Sequence, residues 1–169
     1  MTTMTCVAST SALAPRTSAM SPTVRTTDQL RFVVEYGATF HLSVAMLLRF
    51  VDGRPISAVT TQFLQWVTDR LAAEGKTALL MVWDNASWHV SQAVRAWLKA
   101  HNRRVKREGG CRVVVCPLPI KSPWLNRIEP KWVHGKRAIA EPDRKLQVDE
   151  LKHRICTYYD CELLDPITQ

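Results

Sequence analysis

The stretch Ala78-Leu79-Leu80-Met81-Val82-Trp83-Asp84 constrains this chain more than any other. Every position from Ala78 to Trp83 is apolar, and an acid follows directly. A strand that is apolar at both alternate sets of positions needs cover on both faces, which suits the interior of a sheet clothed with helices. In open α/β sheets, ligands gather outside the carboxyl ends of the strands. A carboxylate at that point is held by a rigid element behind it. Asn85, Ser87 and His89 follow Asp84. The Asp-Asn pair also reads as a plain turn closing the strand, and the local pattern leaves both readings open.

The flanking segments supply the rest of such a sheet. Residues 30–51 (LRFVVEYGATFHLSVAMLLRFV) are rich in β-branched and aromatic residues and predict two strands with a break near Gly37. Their last part, AMLLRF, is also compatible with a helix. Asp52-Gly53-Arg54-Pro55 signals a turn. Val59, Phe63, Trp66, Val67 and Leu71 recur at helical spacing, with Ser57 as a cap and Gly75 as a stop. After Asp84, Ser91 can cap a helix whose apolar face is Ala93, Val94, Trp97 and Leu98. Asn102–Gly110 reads as a basic loop, CRVVVCPLP as a second buried strand, and RIEPKWVHGKRAI and VDELKHRICTYY as helices. This order implies a mixed sheet with helices packed against it, an α/β layer domain. The expected division is a poorly ordered leader over 1–29, the α/β domain over 30–140 and a helical tail over 141–169. The leader is dense in Ser, Thr and Pro and short of large apolar residues, so it buries too little to offset the entropy of ordering.

The 169 residues carry a formal net charge of +8. That excess suits a polyanion, since Lys and Arg neutralise phosphates and release condensed counterions; it equally suits a basic soluble protein. No apolar run approaches the roughly 20 residues of a membrane-spanning helix, and the N-terminus lacks the basic start and apolar centre of a signal peptide. A soluble cytoplasmic protein is the simplest reading. The five cysteines, Cys6, Cys111, Cys116, Cys156 and Cys161, are odd in number and contain no CxxC, which argues against a disulfide framework. Two Cys-x4-Cys pairs near His153 raise the option of zinc. Cys111 and Cys116 flank a strand, however, and an odd spacing sends them to opposite faces. Buried free thiols are preferred.

A second cluster runs from Pro117 to Trp132 (PLPIKSPWLNRIEPKW). Its prolines stiffen the loop after the strand. Asn126 can cap the next helix, and Glu129 then lies in the first turn. An Asn with a Glu three residues on is also a complete capping box, and the helix dipole favours an acid there.

Together the two clusters resemble the catalytic core of the IS630 and Tc1/mariner transposases. Val82-Trp83-Asp84-Asn85-Ala86-Ser87-Trp88-His89 matches a strand ending in Asp-Asn with a following His. Pro119 to Trp132 matches Pro-x-x-Ser-Pro-x-Leu-Asn-x-Ile-Glu and an aromatic, with Ser122, Pro123, Leu125, Asn126, Ile128, Glu129 and Trp132 in register. The resemblance spans about Leu30 to Arg137 and implies a ribonuclease H-like fold. It implies three carboxylates holding two Mg²⁺ (or Mn²⁺) ions for DNA strand cleavage and transfer. By position Asp84 is the second metal ligand and Glu129 the third. Asn85, His89 and Asn126 take supporting roles, and Trp132 packs the helix. Arg103, Arg104, Lys106, Arg107, Lys121, Arg127, Lys131, Lys136 and Arg137 are candidate phosphate contacts. The implied partner is double-stranded DNA, as transposon ends and target, with a homo-oligomer compatible.

The resemblance also sets a conflict. The family's first carboxylate sits on the first, central strand, ahead of an Ala-Pro-Lys/Arg segment. Leu13-Ala14-Pro15-Arg16 and Thr23-Val24-Arg25 match that segment, and the residues before Leu13 contain no Asp or Glu. Asp28, Glu35 and Asp52 are available acids, none of them in the matching place. The expectation is therefore a sheet without its first central strand, and an N-terminally truncated or split-frame domain. Its incomplete triad argues against autonomous catalysis. The separation of Asp84 and Glu129 is also longer than usual in the family, with the Asn102–Gly110 loop absorbing the excess. The alternatives are an inactive DNA-binding remnant or another ribonuclease H-like nuclease.

Overall fold

The computed structural model describes residues 2–7, 31–38, 41–52, 56–120, 122, 125, 128–140, 144 and 146–168; for 2–7, 31–38, 41–46 and 129 it describes the backbone alone. Five strands form one sheet: β1 (Thr2–Val7), β2 (Arg31–Ala38), β3 (His41–Phe50), β4 (Ala78–Trp83) and β5 (Arg112–Pro117), in the order β3-β2-β1-β4-β5. β1, β2 and β3 pair antiparallel, while β4 lies parallel to both β1 and β5. The helices are α1 (Ser57–Ala73), α2 (Gln92–Glu108), α3 (Ile128–Ile139) and α4 (Val148–Tyr159). The α/β layer architecture is as expected.

The central strand is present, which corrects the expectation that it is missing. β1 fills the place between β2 and β4, with Thr5 opposite Glu35 on one side and Val82 on the other. Its Thr-Thr-Met-Thr-Cys-Val sequence is rich in β-branched residues, which fit a pleated surface, yet it is too polar to read as a core strand. The expected leader over 1–29 thus begins as a strand; residues 8–30 lie outside the described residues.

Strand alternation divides the core in two. Leu47 and Val51 point to one face and Leu48 and Phe50 to the other. The first face is covered by α1, through Val59, Phe63, Leu64, Val67 and Leu71, and by Val94 of α2; Leu79, Met81 and Trp83 of β4 are buried beneath them. The second face is covered by α3 and α4, through Ile128, Trp132, Ile139, Ile155 and Cys156. Trp132 is buried and meets Tyr159 edge-on, a packing role as expected. AMLLRF is strand, because its alternating side chains feed both cores. α1 starts without a side-chain cap, since Ser57 is already helical and Ile56 holds the cap position. It stops at Gly75, whose φ of 75° suits glycine.

α3 and α4 approach closely. The Tyr159 hydroxyl donates to Lys131 O at 2.8 Å, over buried Gly135. A Cβ at Gly135 would fall inside the contact shell of that hydroxyl. After α4 the tail is extended, not helical. Ile167 N donates to Phe50 O at 2.8 Å and Asp52 N to Ile167 O at 3.0 Å, so the tail bridges to the end of β3.

The largest departure concerns Asn102–Glu108, expected as a loop. It is the second half of α2, which ends only where Gly109 turns the chain at φ 84°. Tertiary hydrogen bonds anchor this half. Asn102 Nδ2 donates to Val113 O at 2.8 Å, and Val113 N donates to Asn102 Oδ1 at 2.9 Å. The amide side chain thereby stands in for a neighbouring strand along the outer edge of β5. His101 Nε2 lies 2.9 Å from Cys111 O and its ring stacks on Trp97. Cys111 is buried, and burial pushes its thiol up to about 11. Cys156 is also buried, while Cys161 is half-buried and held up to about 12, first by burial. Cys116 is exposed, against the expectation of burial, because the end of β5 projects past the helices.

Two stability outcomes follow from this packing. Gly135→Ala should lower the unfolding free energy by about 1–3 kcal/mol through overpacking, read as an earlier urea midpoint at constant slope. An unchanged midpoint would mean that Tyr159 yields freely. Asn102→Ala should cost about 1–3 kcal/mol by leaving edge groups unpaired, and hydrogen exchange at the Val113 amide should rise with it; unaltered exchange would refute the edge-capping role.

Candidate active-site loop

β4 delivers its chain to Asp84 at the carboxyl end of the sheet, and the next seven residues fold back into α2. Asp84 Oδ1 accepts from Ala86 N at 3.0 Å, closing an Asx turn. It lies 2.9 Å from His89 Nδ1. A carboxylate can only accept, so the shared proton belongs to Nδ1 of the imidazole. His89 N donates to Ala86 O at 2.9 Å, which fixes the backbone of the same turn.

His89 is held from several sides. Its ring is parallel to that of Trp83 within 2°, with centroids 4.8 Å apart, and Trp88 meets it edge-on at 6.0 Å. It is 1% exposed, whereas the Asp84 side chain is 35% exposed. The buried imidazole therefore pins one oxygen of a carboxylate whose other oxygen, Oδ2, accepts no hydrogen bond among the described residues. That Trp83 forms a platform for His89 was not read from the sequence, although an aromatic five residues before the histidine on the same strand end was a usable signal.

The second cluster arrives beside this loop because β5 lies parallel to β4, with Trp83 opposite Pro117. Leu118 N donates to Trp83 O at 2.8 Å, and Asn85 Nδ2 donates to Leu118 O at 2.6 Å. Asn85 thus ties the loop of Asp84 to the Pro-rich segment that leads to α3. Glu129 is the second residue of α3. Its side chain, and Lys121, Asn126 and Arg127 altogether, lie outside the described residues. Neither Asp84 nor His89 is brought to Asp52, an exposed turn residue at the far end of β3. Glu35 is on β2, two strands from β4, at about 9–10 Å by strand spacing. Continuing the β1–β4 register beyond Thr5 and Val82 brings Cys6 and Val7 level with Trp83 and Asp84, so the strand next to Asp84 offers no acid there.

The basic residues divide by element. Arg103, Arg104, Lys106 and Arg107 are exposed on α2 rather than on a loop. Lys136 and Arg137 are exposed in the last turn of α3, and Lys131 is half-buried in its first half. No helix among the described residues is long and apolar enough to cross a membrane.

Comparison with known proteins bears on this geometry. No curated protein matches the sequence significantly. Among solved structures, the Mos1 transposase paired-end complex with left transposon end superposes with a TM-score of 0.61 at 16% identity, covering 95% of this chain and 48% of that one. The catalytic domain of Mos1 mariner transposase gives a TM-score of 0.57 at 15% identity, over 94% and 70% of the two chains. The Mos1 mariner paired end complex with Mn gives 0.61 at 15%, over 95% and 48%. The chain spans about half the length of the full Mos1 chains, and at these identities the likeness establishes the fold, that of a ribonuclease H-like transposase catalytic domain. The family model of the DDE superfamily endonuclease matches residues 23–152, through both clusters and all of the Asp84 loop. With that model covering most of its length, the chain belongs to the DDE superfamily endonuclease family.

Proposed function

We propose that this chain is a DDE-type transposase domain for metal-dependent DNA strand cleavage and transfer, with Asp84 and Glu129 as its metal-binding carboxylates. The observation that carries the reading is the Asp84 loop. One carboxylate oxygen is fixed by a buried histidine and a backbone N–H, the other is left open to solvent, and Asn85 joins the loop to the segment that leads into Glu129. The comparisons support it, since the likeness includes mariner transposase chains solved with transposon-end DNA and with Mn.

The residues present fit a hard divalent cation in part. An open carboxylate oxygen held by a hydrogen-bonded partner is a suitable donor for Mg²⁺ or Mn²⁺, and Asp84 would hold the ion with Glu129. When bound, such ions lower the pKa of an attacking water or hydroxyl and stabilise the leaving oxygen. His89 keeps Asp84 in one rotamer, Trp83 keeps His89 flat, and Asn85 sets the distance between the two motif segments. Exposed cations on α2 and α3 would contact phosphates of double-stranded DNA.

A second reading has its own observation: β1 carries no acid level with Asp84. On that reading the chain is a catalytically inactive form that retains DNA contact. Supercoiled plasmid with Mg²⁺ or Mn²⁺ separates the two. Weak, metal-dependent nicking that disappears in Asp84→Asn and Glu129→Gln supports the transposase reading. DNA binding without nicking, unchanged in both variants, supports the inactive form. Nicking that persists in both variants would falsify the assignment of these carboxylates. Strand joining to defined transposon ends distinguishes a transposase from a plain nuclease.

The His89 role has a separate readout. His89→Phe preserves a ring over Trp83 and removes the N–H to Asp84. It should weaken Mn²⁺ binding by about 10–100-fold, measured by calorimetry or Mn²⁺ resonance, with little loss of melting temperature. Unaltered Mn²⁺ affinity would remove His89 from the site.

A further inference from the structure

α2 differs from the other helices in how it handles charge. On α1, Gln65 donates to Asp69, and Arg70 meets Glu74 at 3.6 Å. On α4, Arg154 pairs with Glu150 at 2.9 Å, and Lys152 meets Asp149 at 3.3 Å. Exposed charges there follow the ordinary alternation of sign that supports a helix. α2 carries Arg95, Lys99, Arg103, Arg104, Lys106 and Arg107, all exposed, with no acid until Glu108 at its end.

The spacing makes this an ordered row. Arg95, Lys99, Arg103 and Arg107 are each four residues apart, so they follow one ridge that drifts about 40° per step, with Lys106 beside it. Val94, Leu98, His101 and Val105 occupy the opposite side and face the sheet. Like charges at this spacing repel and destabilise a helix. No ion pair relieves Arg95, Lys99, Arg103 or Lys106 among the described residues, and Arg107 meets only exposed Glu108 at 3.5 Å. The helix is held by Ser91 at its start and by Asn102 and His101 at its end, in spite of its own surface. A row that opposes the helix bearing it is a departure from local consistency of the kind found where a surface has a ligand.

The topology sets where the row points. α2 starts one short loop after Asp84 and returns to the other end of the sheet, where Arg112 of β5 lies opposite Ala78. The cations from Arg95 to Arg107 extend over about 18 Å, leading away from the carboxylates. Duplex DNA presents one negative charge per about 1.7 Å of axis, so a duplex laid along the ridge meets phosphates over its whole length.

We infer that the outer ridge of α2 is a docking track for the phosphate backbone of duplex DNA, at phosphates remote from Asp84 and independent of the metal site. The inference rests on the reading of the chain as a DNA-processing domain, and adds Arg95 and Lys99 to the cations already considered. The track reads charge and not base sequence, because its contacts are to phosphates.

The test is salt-dependent binding of a labelled duplex longer than the helix, by the full chain and by a variant combining Arg95→Gln, Lys99→Gln, Arg103→Gln and Arg107→Gln. Glutamine is an equally good helix former, and the change relieves repulsion, so the variant should fold and melt no earlier than the parent. The slope of log K against log salt should fall by about 3–4, at roughly 0.9 per phosphate, for specific and random sequences alike. Asp84→Asn should leave the slope as it is. A quadruple variant with parental affinity and slope overturns the track, even where nicking confirms the carboxylates. Loss of nicking in Asp84→Asn and Glu129→Gln bears on the metal site and not on this ridge. A parent chain that binds polyglutamate and not the duplex overturns both readings.

Discussion

The parallel ladders on both edges of β4 are the constraint on which the rest depends. β1 and β5 flank it, so its backbone is fully paired and its end cannot move sideways. Leu79, Met81 and Trp83 are driven under α1 and α2, and burial of each large apolar side chain contributes on the order of 1.5–3 kcal/mol. A strand held this way delivers Asp84 to one place. Parallel pairing with β5 also requires a crossover, and α2 is that crossover. One arrangement therefore fixes the carboxylate, the basic helix and the meeting of the two motif segments.

Around Asp84 the apolar and polar parts of the structure are coupled. Trp83 ends the core and supports the ring of His89. His89 holds one oxygen of Asp84, and Asn85 binds the carbonyl of Leu118. The buried imidazole leaves Nε2 without a partner. An unpaired buried nitrogen costs stability, and here it accompanies a carboxylate kept in one orientation. Preorganisation of this kind belongs to a binding site more than to a strand cap, and it resolves the two readings of Asp-Asn in favour of the site. The capping-box reading of Glu129 keeps its standing beside the metal reading, since the helix start and the motif use the same residues.

Much of this was legible in the sequence because it depends on short-range order. The unbroken apolar run predicted β4 and its burial. Helical spacing gave α1 and the first half of α2, Ser91 gave a true N-cap, and the two motif segments named Asp84 and Glu129. The errors share one cause. Thr2–Val7 reads as too polar to be a core strand, yet it has two neighbours to pair with, and backbone hydrogen bonds to both edges do not require apolar side chains. Asn102–Glu108 reads as a loop because its cations repel and it lacks apolar bulk, yet Asn102 and His101 tie it to β5. Ser57 looked like a cap by residue type, and Ile56 took the position when the preceding chain entered from β3.

What the sequence determined alone is therefore local: which segments have one apolar face or two, where the chain turns, and which acid follows a strand. Those features are set by side-chain periodicity and backbone preference within a few residues. The tertiary structure decided what long-range pairing decides. It placed β1 between β2 and β4 and brought no acid level with Asp84. It closed the edge of β5 with an asparagine eleven residues earlier in the chain. It turned a run of like charges into one ordered ridge. Each of these depends on hydrogen bonds between residues far apart in sequence, whose partners no local pattern reveals.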